Sequence, residues 1–114
     1  MAHCFLKKVG GGSSKLKSAS GTYQLSNSAN VSVDLGFKPK FLAIRGTATT
    51  ITMIYNKNYS SSTFKYATSG NYSSNQNLNT STAYRLKSID NNGFTVNKGS
   101  SATNYTFYYF AIGE

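Results

Sequence analysis

Apolar side chains in this chain recur at intervals of two, and no stretch carries the spacing of a helix face. The clearest run sets Val31, Val33 and Leu35 against Ser32, Asp34 and Gly36. That alternation marks a strand with one face in a core and the other in water. The polar stretch from Lys15 through "SGTYQLS" places Tyr23 and Leu25 on one face, and "SNSAN" (Ser26 to Asn30) reads as a turn. "FLAI" (Phe41 to Ile44) is apolar without interruption, as expected of a central strand covered on both faces, with Phe41 buried.

Further along, Ile51, Met53 and Tyr55 share one side of a strand that follows a turn at Gly46 and Thr47, a hairpin pattern. Phe64 and Tyr66 share a face in "STFKYATS". The nearly apolar-free segment from Gly70 to Thr82 reads as the longest loop. "AYRLKSI" (Ala83 to Ile89) resumes the alternation. "DNNG" (Asp90 to Gly93) then supplies residues that accept positive backbone torsions before "FTV" (Phe94 to Val96), the strongest hairpin signal present. The expected fold is all-β: an antiparallel β-sandwich, jelly-roll-like, of eight or nine short strands.

Composition says what fills that core. Hydrophobic residues make up 39% of the 114 positions and aromatics 14%, so a few large rings do most of the burying. The length suits one domain, residues 15–114, preceded by an arm and a Gly/Ser hinge over residues 1–14. One cysteine, Cys4, excludes an internal disulfide framework, and the N-terminus lacks the apolar stretch of a signal peptide. Synthesis in a reducing cytoplasm and no membrane span are expected.

Catalytic chemistry finds little to work with. The carboxylates are Asp34, Asp90 and Glu114, and the only imidazole is His3. Asp90 suits the hairpin turn, and Asp34 sits on the wet face of its strand within reach of Lys38 or Lys40. His3 and Cys4 are too few to complete a tetrahedral metal set. "GGGSSK" lacks phosphate-loop spacing, and a serine or cysteine nucleophile would lack a positioned base. No catalytic residue, cofactor or metal is assigned.

Binding is the class that fits. Twelve basic residues against three acidic ones give a net charge of +9, which favours polyanions or an acidic partner. Tyr59, Tyr66 and Tyr72, with Asn58, Asn71, Asn75 and Lys65, offer flat rings and amides suited to sugar rings, with a core role for Tyr66 the alternative. Phe5, Lys7 and Lys8 offer a docking arm. The same rings could stack single-stranded bases, against which the basic residues do not cluster with the aromatics in sequence. The closing "NYTFYYFAIG" is aromatic on both sides: Tyr105, Phe107 and Tyr109 on one, Tyr108, Phe110 and Ile112 on the other. A strand of that kind needs two covers. The domain's second sheet supplies one; a neighbouring subunit, reached through Tyr108, Phe110 and Ile112, supplies the other.

Four segments, Gly21-Thr22-Tyr23, Leu35 to Lys40, Asp90 to Phe94 and Phe110 to Gly113, follow in an order and spacing that resembles a family of small β domains in bacteriophage and prophage tail proteins. The resemblance implies a virion protein made in the host cytoplasm, of tail-fibre or tail-tip type. It also implies a homo-oligomer with a trimer favoured, in contact with other virion proteins or a host cell-wall glycan or anionic polymer. A capsid decoration protein docked through its basic arm, and a nucleic-acid-binding β domain, are the alternatives.

Overall fold

The structure is a computed structural model that describes residues 15–68 and 74–114. Phe5, Lys7, Lys8, His3 and Cys4, and with them Asn71 and Tyr72, lie outside the described residues. In chain order the strands are β1 (Lys17–Leu25), β2 (Val31–Asp34), β3 (Pro39–Gly46), β4 (Thr52–Asn56), β5 (Thr63–Ala67), β6 (Ser74–Asn77), β7 (Leu86–Asp90), β8 (Gly93–Val96) and β9 (Tyr105–Gly113). They form two antiparallel sheets, a large one ordered β1-β9-β3-β4-β5-β6 and a small one ordered β2-β8-β7. This is the all-β sandwich that the alternation predicts.

Period-two burial decides which side chains meet between the sheets. Tyr23 and Leu25 of β1, Leu42 and Ile44 of β3, Met53 and Tyr55 of β4, Phe64 and Tyr66 of β5 and Phe107 and Ala111 of β9 all turn inward and are buried. From the small sheet come Leu86, Phe94 and Val96, none with measurable exposure. The rings lock the centre. Tyr23 stacks on Phe107 at 5.2 Å, while Phe94 makes T-shaped contacts with Tyr23 at 6.0 Å and with Tyr109 at 5.4 Å. These are the offset and edge geometries that aromatic quadrupoles favour.

Three of the segments that carry the family resemblance converge at one end of the sandwich. Gly36 takes a left-handed φ of 81°, a torsion that costs glycine nothing and a side chain about 1 kcal/mol. The Asn92 carbonyl accepts from both Leu35 N (2.6 Å) and Gly36 N (3.1 Å), which ties this corner to the β7–β8 hairpin. Pro39 then opens β3 opposite Gly113, beside a register irregularity where the missing N–H breaks no regular ladder. Asp34 does not pair with Lys38 or Lys40 as expected. Its Oδ1 accepts from Gly36 N at 2.9 Å, and Lys40 bonds Glu114 at 3.0 Å.

Other expectations need correction. The "DNNG" hairpin forms, with Asp90 opposite Gly93 across a two-residue turn, but among the described residues the left-handed positions are Gly36, Asn79 and Tyr84 and none lies in this turn. Gly93 is needed for space instead: a Cβ there would run into the Val33 carbonyl. The segment 70–82 is not all loop, since β6 pairs with β5 through backbone bonds that need no apolar side chain. The strand expected from Ala83 starts only at Leu86. Before it, Tyr84 is left-handed (φ 67°), its ring held against Tyr105 and Phe107. Buried Asn97, 3% exposed, pins this connection by donating its Nδ2 to the carbonyls of Thr80 and Arg85 at 2.9 and 3.2 Å.

β3 is central in the large sheet, between β9 and β4, yet among the described residues only one of its faces is covered. Phe41 and Ala43 turn outward and are half-buried, so Phe41 is not the buried core residue that an uninterrupted apolar run suggests.

Candidate functional site

The outward face of the large sheet is built by register. Opposite Ala43 of β3 stand Phe110 of β9 on one side and Ile54 of β4 on the other. One step along, Ile112 and Asn56 flank Phe41; in the other direction Tyr108 and Thr52 flank Arg45. Pleating sends these side chains to the same face. The product is an apolar strip three strands wide, with Tyr108 59%, Phe110 44% and Ile54 40% exposed. Scattered exposed apolar residues need no explanation, but a contiguous group of this kind marks a contact surface.

Polar groups frame the strip. On the β1 side, Ser18, Ser20 and Thr22 stand opposite Ile112, Phe110 and Tyr108. Beyond Ile54, Lys65 of β5 is its register partner, and Asn75 of β6 is the partner of Lys65. The Lys65 ammonium lies over the Tyr59 ring at 5.5 Å from its centroid, and that ring, on the β4–β5 connection, is 68% exposed. At the end of the sheet past Phe41, a shallow cleft of about 130 Å³ is lined by Lys38, Pro39, Lys40, Lys57 and Glu114. Glu114 is the one acidic residue in that lining, and it is tied to Lys40.

Two groups of residues singled out separately in the sequence therefore occupy one face: Tyr108, Phe110 and Ile112, and Tyr59, Lys65 and Asn75. Tyr66 does not join them. It is buried, its phenol pushed above the ordinary tyrosine value by desolvation and partly drawn back by Arg85, whose guanidinium lies 3.9 Å over its ring. Asn58 donates its backbone N–H to Asn56 Oδ1, a local turn bond that holds the Tyr59 loop. Arg45, Phe41, Ala43 and Ile54 were not marked by sequence, because their membership depends on strand order. The period-two parity of β3 and β4 is the signal that would have given their direction.

The opposite wall has another chemistry. Asp90 Oδ1 and Oδ2 accept from Ser88 Oγ and Thr95 Oγ1, both at 2.8 Å, and Thr95 Oγ1 in turn accepts from Ser32 Oγ at 2.8 Å. With Asp34 engaged by Gly36 and Glu114 by Lys40, each of the three side-chain carboxylates of the sequence has a structural partner. Comparison with protein-family models, with curated proteins and with solved structures returned no match.

Proposed function

We propose that the chain is a non-enzymatic structural protein of a bacteriophage virion, of tail-fibre or tail-tip type, that docks through the outward face of its large sheet. The observation that carries this reading is the exposed apolar strip of Tyr108, Phe110, Ile112, Phe41, Ala43 and Ile54. Tyr108 and Phe110 remain open to solvent on a long strand whose alternate residues form the centre of the core. Backbone hydrogen bonds on both sides of β9 hold that strip rigid, so little ordering entropy opposes docking. The virion assignment comes from the motif order of the sequence, and the engagement of all three carboxylates in local structure favours contact over acid–base chemistry.

The test is incorporation into particles. Labelled chain, located by imaging on phage particles assembled with it, is expected at the tail. The double variant Tyr108→Lys, Phe110→Lys is expected to fold, since both positions are exposed, and to fall about tenfold or more in incorporation. Undiminished incorporation of that variant contradicts the docking face, and label on the capsid shell contradicts the tail assignment.

A further inference from the structure

We infer that the occupant of this face is an acidic protein surface with an apolar centre, and not a second copy of this chain. The inference rests on the reading of the face as a docking surface and names its partner's chemistry.

Charge on the face is of one sign. Arg45 stands opposite Tyr108, and Lys65 opposite Ile54. The lysines 38, 40 and 57 line the cleft at the strip's end with one acidic side chain, Glu114, already paired with Lys40. The other two carboxylates of the chain sit in β2 and at the end of β7, in the small sheet. Two copies meeting face to face would oppose cation to cation with no free carboxylate on either side to answer, on molecules that each carry +9. A heterologous contact with the small sheet of another copy offers only two carboxylates, Asp34 and Asp90, both held in local hydrogen bonds, against the cations Arg45, Lys65, Lys38 and Lys57 of the face. An acidic partner supplies what the face lacks.

The strip also indicates a protein. Ile112, Ala43 and Ile54 interrupt the rings of Phe41, Phe110 and Tyr108 along the strip, so stacked bases or sugar rings would meet no continuous aromatic platform. An apolar centre of aromatic and aliphatic side chains, with an arginine beside a tyrosine and polar groups around the rim, is the anatomy of a protein interface.

Sedimentation of the full chain and binding to labelled polymers test this together, between about 50 and 500 mM salt, where screening length changes several-fold. In place of the neighbouring subunit expected on this face, no self-association that Phe110→Ala removes is expected, and the chain should bind a glutamate–tyrosine copolymer more tightly than polyglutamate. Affinity for the copolymer should fall about tenfold or more with rising salt, and again by about tenfold in Phe110→Ala or Arg45→Gln. Melting temperature monitors folding of both variants. Self-association that strengthens with salt would overturn the inference in favour of a second copy. Binding of oligo(dT) as tight and as dependent on Phe110 would overturn it in favour of nucleic acid. Failure to bind the copolymer, or binding indifferent to Phe110, would also overturn it. Particle incorporation separates the two claims: a face variant that still incorporates contradicts docking itself, whereas lost incorporation without copolymer binding contradicts only the acidic partner.

Discussion

Tyr23 is where a single residue holds the most opposed forces. Its ring stacks on Phe107 and meets Phe94 edge to face, but its hydroxyl is buried and has no hydrogen-bond partner among the described residues. A buried, unpaired hydroxyl costs about 1–3 kcal/mol, and removing it keeps both ring contacts. Tyr23→Phe should therefore leave stability unchanged or raise it by about 1 kcal/mol, as read by chemical denaturation; a loss above about 1 kcal/mol would mean that the hydroxyl is bonded. Burial also pushes the Tyr23 phenol well above its ordinary value, and Tyr55 and Tyr66 move the same way by desolvation. A raised folded value favours the protonated native form, so the stability is fully present below about pH 10, where the unfolded phenols stay neutral, and is lost as pH rises beyond it. Tyr23→Phe should flatten that alkaline decline, measured by denaturation from about pH 8 to 11.5. An unchanged slope would place the ionisation elsewhere.

At the scale of elements, β8 and β3 differ in a way that local pattern does not reveal. Phe94 of β8 has no exposed surface, so Phe94→Ala should cost about 3–5 kcal/mol. Phe41 of β3 is half-buried on the outward face, and Phe41→Ala should cost only about 1–2 kcal/mol. Urea denaturation of the pair checks the order, and equal losses would mean that the outward face is covered within the single chain. Gly93→Ala should cost at least about 2 kcal/mol, because its Cβ meets backbone and not a movable side chain. The alternation of Val31 to Leu35 and the strands of the hairpins were legible in the sequence because burial on one face of a strand imposes a period of two. β6 was not: Ser74, Asn75, Gln76 and Asn77 pair with β5 through backbone groups, which leave no mark on side-chain type. The late start of β7 was hidden too, since packing against Tyr105 and Phe107 holds Tyr84 in a torsion that its own preference opposes.

For the molecule as a whole, the sandwich sorts its surface into unlike walls. Hydroxyls and two engaged carboxylates lie on the small sheet, and an aromatic strip with cations lies on the large one. Half of that site could be read from the sequence. The alternation of Tyr108, Phe110 and Ile112 within β9 places them on one face, but β3 and β4 are distant in sequence and join the strip only through sheet order. An uninterrupted apolar strand reads the same whether its second cover is the chain's own sheet or another protein, which is why Phe41 was expected in the core. The central claim, that this face is covered when the protein is at work, is tested most directly by tyrosine modification read by mass spectrometry, in the free chain and in assembled particles. Tyr108, at 59% exposure, should be modified readily in the free chain and protected in the particle, while buried Tyr55 stays unreactive in both. Equal reactivity of Tyr108 in the two states would contradict the account.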